Sequence, residues 1–200
     1  MPVETIPMPR PVLVVIGPSA SGKSTAVREL SRRGIVRVHP TWTTRAPRPD
    51  EREGALEHRF VTDAVFDELE AAGFFLGTVS LPGLPFRYAL PRPELVPDGP
   101  VDAIMARAPF IELFATYFPD PLVYQIEDST EHAHARLLER GTSADEVAAR
   151  LLGHDQEIES GRAFAHRTFI NDGTLEGLVD AMTSALRRDI PSVVMIEATR

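Results

Sequence analysis

Val12-Leu13-Val14-Val15-Ile16-Gly17-Pro18-Ser19-Ala20-Ser21-Gly22-Lys23-Ser24-Thr25 decides the reading of this chain. The unbroken apolar run Val12–Ile16 suits a strand buried on both faces of a parallel sheet. Gly17 to Ser24 then matches G-x-x-x-x-G-K-[ST], and Ser24 to Arg33 reads as a helix ended by Gly34. Strand, glycine loop and helix in this order form a cradle for phosphate. Gly17 and Gly22 let the backbone curl so that successive N–H groups point inward at anionic oxygens. The helix start adds unpaired N–H groups and the positive end of the helix dipole. Lys23 is placed to reach the β- and γ-phosphates, and the Ser24 hydroxyl to meet Mg2+. Pro18, Ser19, Ala20, Ser21 and Thr25 complete the nucleotide-binding loop.

Working outward, strands and helices alternate. Ile35 to His39 reads as a second strand. Residues 40–59 are polar and basic, a functional loop or small subdomain, with a short strand at Arg59 to Val61. Thr62 caps a helix to Ala72, with Val65, Phe66 and Leu69 on one face. Phe74 to Val79 is a strand. Residues 80–100 hold six prolines and read as loop with one helical turn near Glu94. Val101 to Met105 is a core strand, Ala108 to Phe118 a helix and Leu122 to Ile126 a strand. Ser129 opens a helix ending at Arg140-Gly141. Ser143 and Glu146 form a capping box that starts a long helix to about Ser160. Thr168 to Ile170 is the last core strand, and Leu175, Leu178, Val179, Met182 and Leu186 make a closing helix. Val193 to Ile196 offers an edge strand. The pattern predicts an α/β fold, a parallel sheet with helices on both faces. It forms one domain over residues 12–188, between a loose Pro-rich arm (1–11) and a tail (189–200).

Composition narrows the function. The net charge of −8 argues against a general nucleic-acid binder, which needs a basic face. There is no cysteine, hence no disulfide framework or thiol chemistry. No apolar run reaches the roughly 18 residues that span a bilayer. The expectation is a soluble cytoplasmic protein, monomer or homodimer. Of the 21 Lys and Arg residues only Lys23 is a lysine, and it occupies the phosphate-contacting position of the loop. The histidines show no metal-ligand spacing, and His154 and His166 read as surface residues. Asp102 reads either as a partner of Mg2+ or the acceptor, or as an ordinary strand-end acid. Phe110, Phe114, Tyr117 and Phe118 read as core.

Four landmarks in order make the chain resemble the guanylate kinase family over nearly its whole length. They are the loop Gly17–Thr25, Thr43-Thr44-Arg45-Ala46-Pro47-Arg48-Pro49, the stretch from Arg140-Gly141-Thr142 to Arg150-Leu151, and Asn171-Asp172 after a strand. The resemblance implies a P-loop NTPase-type fold with a small acceptor-binding segment (about 40–98) and a lid (about 140–160). It implies ATP as donor with Mg2+, and a small phosphorylated acceptor, GMP or a related nucleoside monophosphate. It assigns Arg45 and Arg48 to the acceptor phosphate, Arg140 and Arg150 to the transferring group together with Lys23, and Asn171 to the donor site. His58, Arg87 and Asp102 stand near the remaining acceptor positions. The chain also departs from the family. Gly77 follows Phe75-Leu76 where the family carries a guanine-reading Glu. Pro85-Phe86-Arg87 replaces Tyr-Tyr-Gly, and Glu57 or His58 stands in place of a Tyr.

Two alternatives follow from these departures. Ala106-Arg107-Ala108 and Phe169 to Leu175 are similar to ribose 1,5-bisphosphate phosphokinase, where Arg107 and Arg87 would serve a doubly phosphorylated sugar. A non-catalytic guanylate-kinase-like binding module is the other, although such modules typically lose the phosphate loop. A nucleotide-hydrolysing switch would need Asn-Lys-x-Asp, which a chain whose single Lys is Lys23 does not contain.

Overall fold

The computed structural model describes residues 10–47, 51, 56–80, 85–107 and 110–191. Strand β1 (Leu13–Ile16) is fully buried and pairs in parallel with β7 (Val101–Met105) on one side and β8 (Leu122–Glu127) on the other. Strand β2 (Val36–Val38) extends the sheet beyond β7, and β9 (Arg167–Ile170) extends it beyond β8. The order is β2-β7-β1-β8-β9, all parallel.

Side chains alternate across this sheet, so each face needs its own cover. Leu13, Val15, Ala103 and Met105 face α1 (Lys23–Arg32) and α7 (Leu175–Asp189), which supply Val27, Leu30, Val179, Met182 and Leu186. Val14, Ile16 and Ile104 face Phe110 and α3 (Ile111–Tyr117), whose Phe114 is fully buried, and Phe118 beyond it. Full burial of such side chains contributes about 1.5–3 kcal/mol each. The expected helices on both faces are therefore present.

A second sheet of four strands, β4-β3-β6-β5, grows from the segment after β2. It contains β3 (Thr41–Thr43), β4 (His58–Phe60), β5 (Phe75–Ser80) and β6 (Arg87–Pro91). Helix α2 (Asp63–Ala71) starts at Thr62, whose hydroxyl accepts from the Val65 N–H, and buries Phe66 against Phe75 at 5.0 Å. Trp42 packs edge-on to Phe74 and Phe75. From the other side Leu76, Val79, Tyr88 and Leu90 join the α3-side core, which docks the small sheet onto the large one.

Several expectations change. Strand β6 lies inside the proline-rich stretch expected to be loop. Pro91 ends it opposite Phe75, beside an irregularity in the pairing at Phe75/Gly77, the kind of place where a strand tolerates proline. No helical turn forms near Glu94. Val65 is exposed and only Phe66 is buried in α2. The helix expected from Ser143 to Ser160 is two helices, α5 (Ala144–Leu151) and α6 (His154–Arg162), broken at Gly153 with φ +75°. The Ser143 hydroxyl caps α5, but Glu146 turns its carboxylate to Arg150. Strand β9 is an edge strand with half-exposed alternation, not a core strand. Helix α7 runs on to Asp189, and Val193–Ile196 lie outside the described residues. Among the described residues no helix is long and apolar enough to cross a membrane.

Candidate nucleotide-binding cleft

The phosphate loop leaves the C-terminal end of β1, held on both sides by parallel partners. Gly17 has φ +143°, and a Cβ there would come within 2.2 Å of the Ile126 carbonyl oxygen. Gly22 has φ +96°, and a Cβ there would meet Asn171 Nδ2 at 2.3 Å. Both positions thus require glycine for conformation and for space. Ala20 also adopts a left-handed φ of +62°, a strained turn of the kind found where a loop is shaped for a ligand.

Helix α1 begins at Lys23 with no side-chain cap and no acidic residue in its first turn. Its leading N–H groups therefore face the loop's concavity without a protein oxygen from a cap, the arrangement that binds anions. Lys23 Nζ folds onto the Gly17 and Pro18 carbonyls at 2.5 and 2.7 Å, so the ammonium lies within the loop it would share with phosphate. The Ser21 hydroxyl is buried and has no hydrogen-bond partner among the described residues. These are features of a loop built around an oxygen-rich anion.

A cleft of about 860 Å3, open to solvent, runs from this loop between the small sheet and the helices α4 (Thr130–Glu139) and α5. Ser19 to Thr25 line one side, and Thr41, Arg45, His58, Phe86 and Tyr88 line the other. Met105, Ala106, Arg107 and Phe110 form the floor after β7, and Arg140 and Arg150 close it from the α4–α5 side. Five cationic side chains therefore converge, and no carboxylate stands among the described lining residues.

Each arginine is placed differently. Arg45 is 6% exposed and donates through Nη1 and Nη2 to Glu51 at 2.8 and 2.9 Å. Burial works against its charge and the Glu51 carboxylate more than restores it, so its pKa lies above the ordinary value. Arg150 is nearly buried and donates to Glu146 Oε1 through Nε at 2.9 Å and Nη2 at 2.5 Å. Arg140 is the exposed C-cap of α4, where the chain turns through Gly141 into α5. His58 Nδ1 pairs with the Thr41 hydroxyl at 2.8 Å.

The structure thus brings together the loop, Arg45, His58, Arg140 and Arg150, and leaves other expected residues elsewhere. Arg48 lies outside the described residues. Asn171 stands behind the loop, its Nδ2 donating to the Ser21 carbonyl at 2.9 Å, so it braces the cradle. Arg87 is turned away: it stacks over Phe66 at 4.3 Å and donates to Asp67 and Asp63, tying β6 to α2. Asp102 sits near the N-terminal start of β7, opposite Arg37 in register and remote from the Met105 end that meets the cleft. It accepts from Arg37 and pairs with His39 Nε2 at 2.7 Å, so it fastens β2 to β7. Burial raises its pKa, but the His39 and Arg37 bonds outweigh burial and leave it below the ordinary value. His154 is buried, not superficial, with Nε2 on the Asp128 carbonyl at 3.1 Å. Gly77 packs against Leu113, where a Cβ would come within 2.3 Å of Leu113 Cδ1, so a longer side chain here would require Leu113 to shift.

The sequence does not mark Thr41, Tyr88 or Met105 as site residues, and it marks Phe110 only as core, whereas Phe86 and Ala106 stand in segments that the family resemblance picks out. The usable signal was topological, since residues just past the C-terminal end of a parallel strand face the ligand crevice. It points to Met105, Ala106 and Arg107. Nothing local marks Tyr88 or Thr41.

No family model matches the chain. A guanylate kinase of Thermobifida fusca is 37% identical over 166 residues, covering 76% of this chain and 80% of the relative. A guanylate kinase of Aromatoleum aromaticum is 32% identical over 186 residues, covering 90% of this chain and 89% of the relative. The crystal structure of guanylate kinase from Anaplasma phagocytophilum superposes with a TM-score of 0.65 at 22% identity, over 95% of this chain and 90% of that one. The phosphate loop, the small sheet beside it and these alignments agree, and the chain belongs to the guanylate kinase family.

Proposed function

We propose that this protein is an ATP-dependent phosphotransferase that moves the γ-phosphoryl group of ATP to GMP. The observation that carries this reading is the convergence of Lys23, Arg45, Arg140 and Arg150 on one cleft beside an uncapped helix start. Donor and acceptor are both phosphates. Two unit negative charges about 4 Å apart repel by about 4 kcal/mol at an effective dielectric constant near 20. Cations on both sides of the junction offset that repulsion, and little covalent chemistry is then asked of the protein.

The loop amides and Lys23 hold the donor's terminal phosphates. Arg45, anchored by Glu51, holds the acceptor phosphate. An oxygen of that phosphate forms the new bond to the γ-phosphorus, the bond to the β–γ bridging oxygen breaks, and ADP leaves with the electron pair. Arg140 and Arg150 neutralise the group in transit. Mg2+ accompanies ATP in this reading. The Ser24 hydroxyl lines the cleft and would hold it together with phosphate oxygens, adding charge neutralisation. Among the described residues no group of three or more acidic, His or Cys side chains offers a separate metal site. A cytoplasmic location goes with this reading, because ATP and GMP are present there.

The relatives are guanylate kinases, which favours GMP over ribose 1,5-bisphosphate and favours catalysis over a silent binding module. An ADP-release assay tests this with GMP, AMP and ribose 1,5-bisphosphate as acceptors. GMP-dependent ADP release in the wild type is expected. Lys23→Ala should cut it by about 10²–10³-fold with an unchanged melting temperature. Release with the sugar bisphosphate but not with GMP would overturn the acceptor.

A further inference from the structure

Three of the four cleft arginines share a construction, and one of them, Arg107, has no role in the GMP kinase reading above. Arg45 is held by Glu51, Arg150 by Glu146 and Arg107 by Glu157, and none of these carboxylates lines the cleft. Arg107 Nε donates to both Glu157 oxygens, at 3.0 and 3.1 Å, and Nη2 donates to Oε2. Glu157 is 8% exposed, so it fixes the guanidinium from the α6 side. Arg107 Nη1 makes no hydrogen bond within the described residues.

Position tells which ligand Arg107 meets. It follows Ala106, whose N–H donates to the Val15 carbonyl at 2.9 Å, so it is registered to the strand that feeds the phosphate loop. β7 lies on the β2 side of β1, from which the chain enters the small sheet, whereas Asn171 follows β9 on the opposite side. Resting on the phosphotransferase reading above, we propose that Arg107 is a further catalytic residue that contacts the acceptor phosphate where it receives the γ-phosphoryl group. Glu157 is its positioning residue. Through α6, Glu157 also links this contact to the lid helices, so a seated acceptor and a correctly placed lid support one another.

The test uses variants of the full chain. Arg107→Ala alone strands a buried carboxylate, so the double variant Arg107→Ala/Glu157→Gln, which removes both charges, guards against misfolding. The double variant should raise the GMP KM by roughly tenfold or more while the ATP KM stays within about twofold, the loss expected of one charge-assisted bond to a single ligand. Arg107→Lys should recover part of the GMP KM, because it restores the charge without the fork. Glu157→Gln alone should raise the GMP KM less than Arg107→Ala does and leave the ATP KM unchanged. Unchanged GMP kinetics with only a lowered melting temperature would reduce the pair to a structural brace and overturn the proposal. So would an equal rise of both KM values. Absence of GMP-dependent ADP release in the wild type would sink the kinase reading instead, a distinct result.

Discussion

The two sheets of this molecule are held together by different physics. In the five-stranded sheet β1, β7 and β8 are buried along their whole length, and apolar side chains on both faces carry the stability. In the four-stranded sheet most strand positions are half-buried or exposed, and charged pairs and aromatic edges do much of the joining. Arg87 ties β6 to α2, Arg45 is clamped by Glu51, and Arg28 of α1 reaches Glu57 before β4 at 2.7 Å. In the proposed reaction the large sheet is the base for the donor loop. The small one is the lightly built carrier of the acceptor contacts, and the proposal expects loss of a single polar partner there to change binding before folding.

The contrast makes predictions of decreasing size. Phe114→Ala empties a fully buried site where the small sheet packs onto the large one, so it should cost about 3–5 kcal/mol in urea unfolding and weaken both regions together. Arg45→Ala should act on one ligand only. A rise of about tenfold or more in GMP KM with an ATP KM within twofold is expected from steady-state kinetics. Arg87→Ala should cost only about 1 kcal/mol, loosening α2 from β6, and hydrogen exchange should show faster opening there with β1 unaffected. The smallest effect is acid sensitivity of the β2–β7 tie. Asp102 has a depressed folded-state pKa, so its contribution is full above the unfolded carboxylate value near 4 and is lost as pH falls below it. Unfolding midpoints measured from pH 5 to pH 3 should fall more steeply for the wild type than for Asp102→Asn. Equal slopes would show that Asp102 contributes nothing.

The same contrast explains what the sequence disclosed. Val12 to Ile16 announced a buried strand because a parallel core strand must be apolar on both faces, and Gly17 to Ser24 announced phosphate because few other residues fit that curl. Strand β6 is hard to read from the sequence because it ends in Pro91 and lies between Pro85 and Pro93; only the pairing with β3 and β5 shows that Pro85 and Pro93 fall outside the paired residues and Pro91 at their end. The break at Gly153 lies inside a helical pattern, and its left-handed φ at the start of α6 shows only in the structure. Asp102 and Arg87 carried the right chemistry for the site. Register placed one near the wrong end of its strand, and Phe66 with two aspartates drew the other away. Arg45, Arg140 and Arg150 were legible only as a set in order, because a lone arginine has no local mark that separates a ligand contact from a solvated charge.

The most direct measurement follows the transferred atoms. With ATP labelled by 18O in its γ-phosphoryl group and GMP as acceptor, mass spectrometry of the products reports where the group goes. The account predicts labelled GDP carrying the γ-phosphoryl as its β-phosphate, formed by the wild type and nearly lost in Lys23→Ala. Label found only in inorganic phosphate, or left in ATP while GMP is unchanged, would contradict it.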